Sequence, residues 1–85
     1  MPDVLRDPLL QEREKTHGSF AKNSNLWFML FEVIKEDIKT IPTTQQLAFN
    51  MMMLKIARAV SNPKVKEHFD DIAGYAKLAS EACEI

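Results

Sequence analysis

The chain has 85 residues, enough for one domain spanning 1–85 and no more. Hydrophobic residues make up 46% of it, which argues for a packed core and against intrinsic disorder. With 11 basic and 12 acidic residues the formal net charge is -1, so the chain lacks the positive footprint that duplex DNA or an anionic membrane would require.

The opening stretch, Met1-Pro2-Asp3-Val4-Leu5-Arg6-Asp7, has neither the basic nor the apolar region of a signal peptide and is expected to be flexible. Asp7 followed by Pro8 is a helix-start signal and predicts a short first helix from about Pro8 to Lys15. Thr16-His17-Gly18-Ser19 breaks it, since Gly18 can take a positive φ and Ser19 can cap the next helix. A second helix is predicted from Phe20 to Lys39, loosened near Asn23-Ser24-Asn25 and ended by Ile41-Pro42. Thr43 and Gln46 have capping-box spacing and open a third helix, Thr44 to Ser61, which Asn62-Pro63 stops. A fourth helix runs to about Cys83 with Gly74 inside it. No stretch alternates as a strand would. The expected fold is therefore all-α: a four-helix, bundle-like domain of one short and three longer helices.

The longest apolar run, Leu26 to Phe31, is far short of the roughly 20 residues that span a bilayer. Cys83 is the single cysteine and cannot form an intramolecular disulfide, which suits a reducing cytoplasm.

The helix faces carry more information than the ends. At 100° per residue, Leu26, Trp27, Leu30, Phe31, Val33, Ile34 and Ile38 share one side of the second helix, while Phe28 and Met29 fall among Glu32, Lys35, Glu36 and Lys39. Those two apolar groups imply a second contact surface or cover by the first helix. The third helix is apolar nearly all round, a pattern that normally means burial on every side. Three short neighbours cannot readily supply that, so a homo-oligomer is expected. The fourth helix offers a seam of Val65, Phe69, Ile72, Ala76, Ala79 and Cys83, with Ala73, Gly74, Ala76 and Ala79 small enough for close helix approach.

Polar chemistry concentrates in a few places. Lys55 and Arg58 are the only charges on the third helix and share one stripe. Largely buried cations need anionic partners, either internal or a ligand phosphate. On the fourth helix His68, Asp71, Tyr75 and Leu78 form a strip beside the seam. There Asp71, with Glu67 one turn earlier, can pair with Lys55 or Arg58, hold a metal or orient a water. Asp70, beside Lys66 and Lys77, reads as solvated. Glu32 and Glu36 make another carboxylate pair that could join a magnesium site only across a subunit boundary. His17 can meet a phosphate or act as acid or base near neutral pH, or merely solvate its turn.

Three segments resemble a family of small phage and prophage proteins of unassigned function. They are Glu12-Arg13-Glu14-Lys15-Thr16-His17-Gly18-Ser19-Phe20, Lys55-Ile56-Ala57-Arg58, and His68-Phe69-Asp70-Asp71-Ile72-Ala73-Gly74-Tyr75-Ala76. Typical members read ER-x-x-THGDF, KIAR and HW-x-DIAGYA in that order, and the match runs from Leu9 to about Ala82. Ser19 replaces the usual acid and Phe69 the usual tryptophan. The family is similar in outline to helical MazG-type nucleotide pyrophosphatases, which oligomerise and bind magnesium through E-x-x-E and later E-x-x-D pairs. Glu67 and Asp70 have the second spacing, whereas Glu32 and Glu36 are one residue too far apart for the first. The resemblance marks His17, Gly18, Lys55, Arg58, Asp71 and Tyr75.

Together these features imply a cytoplasmic, oligomeric protein that binds a nucleotide or phosphorylated metabolite. Lys55, Arg58, His17 and Gly18 would meet the phosphates. Asp71 and Glu67 would hold Mg2+ or a water, with Asp71, Glu67 and His17 as the catalytic set if there is pyrophosphatase chemistry, and Tyr75 or Trp27 would stack on the base. The alternative is a non-catalytic phage inhibitor or adaptor that docks on a host or defence protein, or sequesters a nucleotide signal.

Overall fold

The computed structural model describes residues 18–83, and within them the chain forms three α-helices and no strand. They are α1 (Phe20–Ile38), α2 (Thr43–Ser61) and α3 (Lys66–Glu81). The expected helix over residues 8–15 and the flexible lead at 1–7 lie outside the described residues.

Local chemistry sets most of the boundaries as expected. Gly18 takes φ +79, and the Ser19 hydroxyl accepts from the Lys22 backbone N–H at 3.3 Å as the N-cap of α1. The helix runs unbroken through Asn23-Ser24-Asn25, against expectation. Ser24 Oγ donates back to the Phe20 carbonyl at 2.8 Å and Asn23 turns into the interior, so neither competes for the helix ladder. The capping box at Thr43 does not form, because Pro42 is the N-cap and Thr43 is already helical. Gln46 instead donates its side-chain amide to the Ile41 carbonyl at 2.8 Å, which ties α2 to the preceding turn. Asn62, at φ -149, ends α2 ahead of Pro63.

The helices pack side by side. α2 contacts both α1 and α3, which do not contact each other. Two polar ties show why. Ser61 Oγ donates to Asn23 Oδ1 of α1 at 2.8 Å, while Gln45 Nε2 donates to the Ala79 carbonyl of α3 at 3.3 Å. On a 100° wheel Ser61, Ala57 and Met53 lie on one side of α2, and Gln45, Ala48 and Ala59 on the opposite side. The buried apolar residues are Ile38, Met53, Ala48, Ala57 and Ala59, so the interior is two thin seams flanking α2, lined by alanines that let the backbones come close. The bundle closed around a shared core, expected from the sequence, is replaced among the described residues by a single layer.

That layer narrows the stripe each outer helix buries. On α1 the inward positions are Asn23, Trp27, Phe31, Ile34 and Ile38, with Trp27 and Phe31 stacked at 5.4 Å between centroids. Val33, assigned by pattern to the apolar side, is 79% exposed. On α3 the expected seam is rotated. His68 is the most buried side chain at 1%, whereas Phe69 and Ala76 point outward and Cys83 is exposed. Close approach through Gly74 does not occur either, for a Cβ placed there would meet nothing within 4 Å.

Candidate functional site

The rotation of α3 brings its polar strip against α2. Lys55 Nζ lies 3.3 Å from Asp71 Oδ2, with the lysine side chain 13% exposed and the carboxylate 39%. An ammonium that is mostly out of water needs a counter-charge, and Asp71 supplies it from within the chain. Of the two partners open to Lys55, internal acid or ligand phosphate, the fold provides the first. Asp71 is correspondingly committed to the lysine.

Arg58, one turn along the same stripe, is half-buried, and no ion pair to it forms among the described residues. Glu67 is exposed at the start of α3. Tyr75 lies further along that helix and lines an open groove of ≈ 440 Å³ with Thr44, Leu47, Ala48 and Leu78. Lys55 and Asp71 thus share one region, and Tyr75 lies one turn beyond Asp71 in a groove that neither of them lines. Gly18 does not join them.

Gly18 has a different task. A Cβ on it would stand 2.7 Å from Ser61 Cβ, closer than real side chains approach, and its positive φ disfavours any L residue. It lets the chain turn tightly over the end of α2, where Ser61 meets the 4%-exposed Asn23. Asn23, Asn62 and His68 all have interaction partners, so these polar groups near the helix ends are satisfied. His17 lies outside the described residues.

The remaining carboxylates occupy surface pairs. Glu32 binds Lys35, and its side-chain hydrogen bond raises the lysine pKa above the ordinary value. Glu36 binds Lys39 at 2.7 Å, and Asp70 accepts both contacts from Lys66, at 2.9 and 3.1 Å, in keeping with a solvated charge. Among the described residues no three His, Cys, Asp or Glu side chains gather as a metal ion would require.

Asn23 is an interior residue that the sequence pattern was not expected to place there. The available signal was its spacing, four residues before Trp27 on the stripe that continues to Phe31, Ile34 and Ile38. A polar group at such a position reads as a buried hydrogen-bonding anchor, not as a loosened turn.

Because α1 and α3 both run antiparallel to α2, helical geometry sorts exposed side chains onto two broad faces. Leu30 and Val33 of α1, Phe49, Ile56 and Val60 of α2, and Phe69 of α3 emerge on one face, and all are exposed. The other face carries the Lys55–Asp71 pair and Arg58, with Phe28, Leu47 and Leu78 exposed between them. Met29 projects from the outer edge of α1 at 62% exposure.

Fold and site define a small all-helical domain whose interior charges and amides mainly hold its helices together. The chain belongs to the family described as Domain of unknown function (DUF6378), whose model matches residues 6–83. No curated protein and no solved structure matches it. Among the described residues no helix is long and apolar enough to cross a membrane.

Proposed function

We propose that this domain is a non-catalytic interaction module that works by docking onto another protein. The observation that carries this reading is the balance of its apolar surface. Eleven large apolar side chains are exposed, while the described core holds only five small or medium ones. A patch of that kind on a small domain marks a contact surface. The motif resemblance to phage and prophage proteins gives the partner a setting, the cytoplasm of an infected cell, where a small adaptor would bind a host or defence protein. The engagement of Asp71 by Lys55 supports docking over MazG-like hydrolysis, since it removes the carboxylate best placed for metal or water.

The test uses a photo-crosslinking amino acid at position 28, on the 51%-exposed Phe28 beside Met29. A discrete adduct with one host protein is expected, lost with excess wild-type protein as competitor and kept with Phe28→Asp in its place. A Phe28→Asp protein that keeps the same partner profile would remove this surface from the proposal.

Arg58 favours a second reading, a nucleotide or phosphorylated metabolite held on the mixed face. Its guanidinium shares a stripe with Lys55, and no described carboxylate claims it. Tyr75 would stack on the base from the groove toward the start of α2, which Glu81 also lines, with Mg2+ bound through the phosphates. Thermal melting with and without nucleotides and Mg2+ decides it. A midpoint raised by a nucleotide in the wild type and unmoved in Arg58→Ala is expected, and no shift with any nucleotide sinks it.

A further inference from the structure

We infer that the apolar face formed by Val33, Phe49, Ile56, Val60 and Phe69 is covered by the same face of a second copy, giving a two-fold dimer. This rests on the interaction-module reading and assigns one of its surfaces.

The first argument is architectural. Stable domains bury apolar stripes between at least two packed layers, and here α1, α2 and α3 make only one. Among the described residues α2 is flanked by helices on two sides and open on the other two, yet its sequence is apolar nearly all round. Among the described residues nothing supplies a second layer, and an identical chain is always present at equal concentration.

The second argument is the character of the face. Val33 is 79% exposed, Val60 64% and Phe69 51%. With Leu30, Phe49 and Ile56 these side chains present on the order of 600 Å² of apolar surface, at the upper limit for a soluble monomer and most of the ~800 Å² per partner that a standard interface covers. None of the six bears a charge, and Asp37, one turn beyond Val33 on α1, is the acid that borders them, whereas the opposite face holds Lys55, Asp71 and Arg58. The apolar centre meets its own copy without like-charge repulsion there, and charge depletion at the centre is what homodimer interfaces show. A two-fold axis through this face would lay α2 across its counterpart.

The third argument is the rotation of α3. Phe69 and Ala76 of its apolar seam are exposed, whereas Ala79 and Cys83 of the same seam meet Gln45 of α2, and His68 and Asp71 face inward. The part of the seam that α2 leaves exposed is accounted for if the partner copy covers it.

Analytical ultracentrifugation of the full chain tests this without any other protein. The wild type should sediment at about twice the 9.8 kDa chain mass. Val33→Glu with Val60→Glu should sediment at the single-chain mass while keeping the wild-type helical circular dichroism, because both side chains are already mostly outside the monomer core. Phe28→Glu, on the other face, should stay dimeric. If the double variant loses its helical signal, Val33→Glu alone decides by the same readout. A wild type that is monomeric throughout, a helical Val33→Glu/Val60→Glu protein that remains a dimer, or dissociation by Phe28→Glu overturns the assignment. Failure here leaves the position-28 crosslink intact, and failure of that crosslink leaves the dimer intact.

Discussion

The two broad faces of the layer are built from the same three helices and differ in what they do with charge. One face commits its polar groups to pairs that reach into the α2–α3 seam, Lys55 on Asp71 foremost, and is only patchily apolar. The other carries large apolar side chains on every helix and, among the described residues, no ion pair. The difference teaches that hydrophobic periodicity alone does not orient a helix. On α3 an ion pair and a buried histidine point inward, and Phe69 and Ala76 of the apolar seam are left outside.

The change that should damage both faces at once is Gly18→Ala. It forces a side chain into a left-handed backbone and against Ser61, under the joint between α1 and α2. A loss of about 2 kcal/mol is expected, read as a lower denaturation midpoint by urea titration. Asp71→Asn should act on the mixed face alone. It strands the mostly buried Lys55 ammonium and should cost about 1–2 kcal/mol, with a Lys55→Met partner change restoring most of the loss in a double-mutant cycle. Sedimentation of Asp71→Asn should remain dimeric, and a monomer would mean that the faces are not independent.

Salt separates them further. Raising the ionic strength should leave the dimerisation constant nearly unchanged, while any anion binding near Arg58 weakens as charges are screened. Gly74→Ala touches neither face and fills open space within α3, so it should stabilise by about 0.5–1 kcal/mol with the dimer unaltered.

Much of the fold was legible because it is local. The Gly18-Ser19 start, the Ile41-Pro42 and Asn62-Pro63 stops and the all-helical class arise from backbone chemistry that neighbours in sequence determine. What was not legible depends on neighbours in space. Thr43 and Gln46 have capping-box spacing, but Pro42 sets the helix start one residue early, so Gln46 finds Ile41 instead. Val65, Phe69 and Ile72 read as a seam because spacing records hydrophobicity and not which side α2 will occupy. The candidate site was half legible. Lys55 and Asp71 do come together, while Tyr75 lines a groove that neither of them enters, and the sequence left open whether Lys55 would meet an internal acid. Gly18, marked as a ligand contact by resemblance, is accounted for by its φ and its distance to Ser61.

The lack of any contact between α1 and α3 also bears on how the chain reaches this state. Among the described residues every helix docks only onto its neighbour in sequence, across turns of a few residues. The search therefore contains no long loop to close, and chains rich in such short-range pairings fold in microseconds to milliseconds. Either helical hairpin can form first, with α2 as the common template. The slow event in assembly should then be the concentration-dependent encounter of two finished layers.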